Sequence, residues 1–392
     1  MSNRLLVWFG LISYPLYLWH WPLLSFTRII QSETPSRWTR TVAVGISILL
    51  AWLTYKFIEK PFRFGKISWK KTILLIFLMC SVGFLGVYSY KQEGLPFRTV
   101  VKINPHKATS WGGGIAKAFI TNECGITDKE DKKIIANCIQ DARQTPRYAL
   151  LGDSKAAALY TGLFRTSNED GRWVFIGGAT QYSAPVPVIS ASPIYKQYQK
   201  PVRIALDAIL NNKNIETVVL VTATRALFRL KSDHSIEDLP ASKQYNAVLE
   251  GLSNVTDILI KAGKKVVLVV DNPTFPDPKD CLNRTTAISF LNTLLATEPN
   301  EQCQITIKRH LELSKQYRNL LREVAAAHPD HITIFDTMEY LCEREIGLCR
   351  SIKNGRRLYS YSDHISDYAA GLIGKELNMF LRNKSAEKEA SR

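Results

Sequence analysis

The chain has 392 residues, a formal net charge of +16 and seven cysteines. Its Lys and Arg residues are scattered, with no basic helix and no basic strand interleaved with aromatics, which argues against a nucleic-acid partner. The length permits more than one domain, and no repeat or low-complexity tract interrupts it.

Residues 1–90 hold three apolar stretches. Leu5 to Phe26 carries His20 but no charged residue; Val42 to Ile58 has a single Lys56 near its end; Thr72 to Tyr90 is uncharged. Each is close to the roughly 20 residues that cross a bilayer core, and Lys56 can snorkel. The first is too long for a signal-peptide core, and Trp19-His20-Trp21-Pro22 is no small-residue cleavage site. The loop after the second stretch carries Lys60, Arg63, Lys66, Lys70 and Lys71, against Arg28, Arg37 and Arg40 in the loop before it. The positive-inside rule places the richer loop in the cytoplasm and everything after Tyr90 outside. Six cysteines lie in that outer part, which suggests local disulfides Cys124–Cys138, Cys281–Cys303 and Cys342–Cys349. No CxxC and no ligand-spaced His accompany them, so no metal site is expected.

Residues 91–145 read as a linker. Beyond it, apolar runs at 147–151, 173–177, 217–222, 265–270 and 332–335 alternate with helical stretches near 155–166, 196–212, 242–262, 305–327 and 366–382. That alternation predicts a three-layer α/β domain over 146–384, its parallel sheet covered on both faces, with a polar tail at 385–392. The stretch 271–304 is too long for a simple connection and reads as an excursion tied by Cys281 and Cys303.

In "YALLGDSKAAALYTGLF" (148–164), Ser154 follows the first strand and opens the first helix. Ser and Asp are ordinary N-cap residues. The same position also suits a nucleophile, because backbone N–H groups and the helix dipole there stabilise an oxyanion. A serine nucleophile needs a base, and "LYSYSDHISDYAAGLIG" supplies His364 before the last helix. His20 lies in a span and His106 in the linker, while His234, His310, His328 and His331 sit in charged segments expected to be solvated. The paired occurrence of Gly-Asp-Ser and Asp-His favours the nucleophile.

These blocks resemble the SGNH branch of the GDSL hydrolases, over most of 146–384. "ISYPLYLWHWPLL" and "LTYKFIEKPFR" resemble the closing spans of the acyltransferase family 3 membrane domain. The combination is similar to bacterial envelope O-acetyltransferases. It implies a flavodoxin-like SGNH fold, a Ser154 nucleophile, a His364 base and an oxyanion hole from the N–H groups of Ser154 and Gly178, or Gly177 in place of the latter. Three departures matter. Only the closing spans are matched, so the chain reads as a C-terminal part or a separate subunit. In the family an acid precedes the histidine by three residues, where this chain has Tyr361. Asp363 could orient His364 instead, or a main-chain carbonyl could, leaving a Ser–His dyad. Finally, "VTATRALF" replaces the Gly-x-Asn-Asp block, leaving Thr224 or Arg225 as the donor there.

The resemblance implies an O-acyltransferase, acetyl in the first instance, acting on a surface polysaccharide such as lipopolysaccharide O-antigen. It would sit in the bacterial inner membrane with its SGNH domain in the periplasm. No cofactor is expected in this chain: the acyl donor, acetyl-CoA, would be used by a membrane half, supplied by a separate subunit. A glycan O-acetyl esterase shares the same catalytic residues, and a degenerate glycan-binding or scaffold domain is the non-enzymatic alternative.

Overall fold

The computed structural model describes residues 3–31, 35–63, 69–91, 120–167, 173–179, 184–229, 244–275, 303–353, 356–361 and 363–390. They fall into two compact units.

The first unit is helical. Arg4–Gln31 forms one helix. Arg37–Thr54 forms a second, which continues through a π-helical turn to Arg63, and Trp69–Lys91 forms a third. By length and composition two helices can cross a membrane: Arg37–Arg63, with mean hydropathy 1.7, and Thr72–Lys91, with 2.1. The expected three spans are therefore two among the described residues. Pro15, Pro22 and the tyrosines, tryptophans and His20 dilute the apolar character of the first helix. That helix packs on the second, and Trp19 Nε1 donates to Thr54 Oγ1 at 2.9 Å. Ala43, Ser47 and Ala51, spaced four apart, are the buried stripe of the second helix, small enough for close approach. His20 Nδ1 lies 3.0 Å from the Leu16 carbonyl of its own helix.

The second unit is the α/β domain. Its strands are β1 (Ile120–Thr121), β2 (Asn137–Asp141), β3 (Tyr148–Gly152), β4 (Trp173–Gly177), β5 (Thr217–Val221), β6 (Lys265–Val270), β7 (Gln304–Thr306) and β8 (Ile332–Asp336). The main sheet runs β1-β2-β4-β3-β5-β6-β8. From β4 to β8 every pair is parallel, whereas β2 joins β4 antiparallel and β1 joins β2 antiparallel. The expected doubly covered parallel sheet is thus present in flavodoxin-like order, with the chain switching direction across the sheet between β3 and β5.

Alternate strand residues feed two cores. Leu150, Phe175, Val219 and Val267 pack with Leu159, Leu163, Ile373 and Leu377 on one face. Leu151, Ile176, Leu220 and Leu268 pack with Val202, Ile209, Leu252 and Leu320 on the other.

The expected linker over 91–145 ends earlier, because residues from Ile120 belong to the sheet. Polar β2, "NCIQD", lies near the sheet margin, which does not need a continuous apolar run. The disulfide Cys124–Cys138 ties the segment before it to β2, and Cys342–Cys349 is also formed. Cys303 is disulfide-bonded, while Cys281 lies outside the described residues, as does most of the 271–304 excursion. The last helix, Asp367–Ala390, runs into the expected polar tail.

That last helix meets the helix Ser154–Thr166 backbone to backbone. A Cβ on Gly162 would lie 1.8 Å from the Ala370 carbonyl oxygen, and one on Gly374 would lie 2.5 Å from the Gly162 carbonyl carbon. Asn378 locks the contact: its Nδ2 donates to the Leu163 carbonyl at 3.0 Å, and its Oδ1 accepts from Trp173 Nε1 at 2.9 Å. The segments leading into these two helices are therefore held in a fixed relation.

His310 is not solvated as expected. It is 2% exposed, beside Arg318, which pairs with Asp336. Burial and the Arg318 charge push its pKa down to about 4. A histidine depressed in the folded state leaves the unfolded chain to bind the proton first. Stability therefore falls as pH drops from about 6.5 to about 4, by about 3 kcal/mol from this residue. Urea melts of His310→Gln should show a flatter dependence across that window; an unchanged slope would contradict the assignment.

Candidate active site

The site forms where β3 and β5 diverge, at the carboxyl ends of the strands. Gly152 closes β3, and a Cβ there would lie 1.7 Å from the Val221 carbonyl oxygen, so only glycine lets the two strands end side by side. The helix then starts at Ser154, with Asp153 as N-cap. Asp153 Oδ1 accepts from the Lys155 N–H at 2.9 Å, and Oδ2 accepts from Thr222 Oγ1 and the Ala223 N–H, both at 2.9 Å. Burial raises the Asp153 pKa, against the opposing effect of those hydrogen bonds. Capping falls to Asp153. The Ser154 hydroxyl is left for other work.

That hydroxyl lies 2.8 Å from His364 Nε2, and His364 Nδ1 lies 2.7 Å from Asp363 Oδ1. The sequence-expected serine, histidine and adjacent aspartate therefore form one hydrogen-bonded chain. Tyr361 pairs with His364 across a tight antiparallel turn, and Asp363 sits inside that turn, so its carboxylate folds back onto its neighbour's ring.

Asp363 is 3% exposed. Its Oδ2 pairs with Arg225 Nη2, and Lys155 Nζ lies 4.0 Å from the same oxygen. Burial alone would raise its pKa; the His364 hydrogen bond and the Lys155 and Arg225 charges overcome this and hold the carboxyl well below the usual range. The Asp363 carbonyl accepts from Lys155 Nζ and, at 3.1 Å, from Asn272 Nδ2. Lys155 Nζ also pairs with Asp271 Oδ1 at 2.9 Å.

Two expected donors are placed differently. The Gly178 N–H donates to the Gly152 carbonyl at 3.0 Å, continuing the β3–β4 ladder, so it is already used and does not serve as an oxyanion donor in this conformation. Gly178 has φ +85°, and a Cβ there would lie 2.3 Å from Asn137 Nδ2. Thr224 donates both its N–H and its Oγ1 to Asp271 Oδ2, at 2.8 and 2.9 Å. Arg225 reaches the site through Asp363. The Ser154 N–H opens the helix, where no intrahelical acceptor exists.

Sequence reasoning missed Lys155, Asp271 and Asn272. A signal existed for Asp271: like Asp153, it stands directly past the apolar run of a central strand. Lys155 offered only a charge beside the serine in an otherwise apolar helix start.

A stretch of 63 residues is 36% identical to "Peptidoglycan O-acetyltransferase OatA" of Listeria monocytogenes, covering 16% of this chain and 10% of that one. The match thus spans about a tenth of that relative's length. Among solved structures, the "Salmonella ser. Paratyphi A lipopolysaccharide acetyltransferase periplasmic domain" aligns with TM-score 0.43 and 13% identity, over 73% of this chain and 98% of that one. The native M. smegmatis aryl esterase aligns with TM-score 0.33 and 13% identity, over 61% and 99%. The family described as "SGNH domain (fused to AT3 domains)" matches residues 123–378, which include Ser154, Asp363 and His364 and make up more than half of the chain. The chain belongs to that family of SGNH domains.

Proposed function

We propose that this chain is a serine O-acyltransferase that passes an acyl group, acetyl in the first instance, to a hydroxyl of a cell-envelope polysaccharide. The observation that carries the reading is the continuous hydrogen-bonded chain Ser154–His364–Asp363 at the end of the central strands. Family membership and the acetyltransferase name of the partial relative support it.

In the first half-reaction, Ser154 Oγ attacks the acyl carbonyl carbon while its proton moves to His364 Nε2. Negative charge gathers on the carbonyl oxygen, where the Ser154 N–H and the helix N-terminus favour it. Collapse expels the leaving group, which takes the proton back from His364, and an acyl-Ser154 ester remains. An acceptor hydroxyl then gives its proton to Nε2 and attacks the ester. The acylated acceptor leaves and Ser154 is reprotonated. Asp363 holds the Nδ1 proton throughout and balances the imidazolium charge.

The acceptor is a surface glycan of the lipopolysaccharide O-antigen kind. The helical unit anchors the chain in the inner membrane, with the SGNH domain in the periplasm. An acyltransferase membrane subunit supplies the acetyl group, drawn from acetyl-CoA, so this chain needs no cofactor of its own. Water in place of the glycan hydroxyl gives the esterase reaction on the same residues. The test incubates the full chain in detergent with labelled aryl acetate, with and without polysaccharide. Label on the glycan, abolished by Ser154→Ala, is the expected result. Released acetate with no labelled glycan would favour the esterase, and glycan labelling unaffected by Ser154→Ala would overturn the proposal.

A further inference from the structure

We propose that Lys155 is a positioning residue of the reaction, holding the Asp363–His364 turn in its working geometry and cancelling the carboxylate charge behind the imidazole. The inference rests on the acyl-transfer reading above and adds a group that the serine, histidine and aspartate roles do not require.

An aspartate directly before a histidine cannot reach that ring from an extended backbone, because neighbouring side chains point to opposite sides. Here the turn is pinned from behind. Lys155 Nζ, on a side chain only 4% exposed, donates to the Asp363 main-chain carbonyl, and Asn272 Nδ2 donates to the same oxygen at 3.1 Å. Lys155 is the residue after the nucleophile, so one helical turn carries both the attacking hydroxyl and the clamp on its distant partner.

The charges near the ring balance. Lys155 and Arg225 supply two cations, and Asp271 and Asp363 supply two anions, joined by direct pairs. Asp153, the other nearby carboxyl, lies beneath the helix start with its oxygens hydrogen-bonded to Thr222, Ala223 and Lys155. Asp367, on the helix after His364, pairs with Arg165 at 2.9 Å and accepts from Thr161. Removing the Lys155 charge leaves one carboxylate unbalanced, which favours the protonated imidazole that cannot act as a base. Removing the Asp271 charge does the reverse.

The experiment measures kcat and KM for aryl acetate against pH with the full chain in detergent. For Lys155→Met, kcat should fall at least tenfold, KM should change little, and the acidic limb of kcat/KM should move up by about one pH unit. Lys155→Arg, which keeps the charge, should leave the limb in place. Asp271→Asn should move it down, a result that stands even if Lys155→Met fails to fold. A folded Lys155→Met with an unmoved limb, or Asp271→Asn moving the limb upward, would overturn the proposal alone. Wild-type turnover independent of Ser154 would overturn the acyl-transfer reading and this proposal with it.

Discussion

Ser154→Ala is expected to lower ester turnover by about 10⁶-fold while leaving the fold intact. The loss follows from the mechanism: without Oγ no acyl-enzyme forms, and only binding and the oxyanion site remain. The intact fold follows from the division of labour at the helix start. Asp153, not Ser154, satisfies the Lys155 N–H and bridges to the β5 loop through Thr222 and Ala223. The one side-chain bond given up by Ser154→Ala is that to His364, worth on the order of 1 kcal/mol. Asp153→Ala should behave in the opposite way, destabilising through three lost bonds, the helix cap among them. Thermal melts beside aryl acetate assays separate the two. A large stability loss in Ser154→Ala would mean that the serine is a structural cap after all.

Asp363→Asn should cost less than the loss of the serine but still about 10⁴-fold, without removing a side chain of any size. An asparagine fits the turn, but its amide can donate to His364 Nδ1. The ring then keeps its proton on Nε2, the nitrogen that must accept from Ser154. The carboxylate also matters for pH. Its folded pKa is depressed below the unfolded value near 4, so its stabilising contribution is complete above about pH 4. That contribution is lost only as pH falls through the depressed folded value. An acidic limb of activity in the range above pH 4 is therefore not the titration of Asp363. Kinetics of Asp363→Asn across pH check this. A loss below about tenfold would favour the dyad, with the imidazole held by the main chain.

The central apolar strands, the helices between them and the serine and histidine at their ends were legible in the sequence, because each depends on local pattern. "RYALL", "TVVLVT" and "KVVLVV" are buried on both faces and can hide their periodicity only as parallel strands. β1 and β2 were not legible: "NCIQD" is half polar, and it becomes a strand by pairing with β4 across the sheet. The role of Asp363 was left open because sequence spacing does not show a turn that folds a side chain back onto its neighbour. Lys155 and Asp271 were invisible for a related reason. Their meaning lies in burial beside each other, 116 positions apart in numbering but 2.9 Å in space. Gly178 was read as a donor from the family resemblance, yet its amide continues the ladder to Gly152.

The most direct test of the account is the identity of the acylated residue. The full chain is mixed with aryl acetate, quenched in acid during turnover, digested and mapped by mass spectrometry. The account predicts one acetyl group on the peptide containing Ser154, formed within the first turnover and discharged when polysaccharide or water is allowed to react. Steady ester cleavage with no acetyl on Ser154, or with the acetyl on another residue, would contradict it.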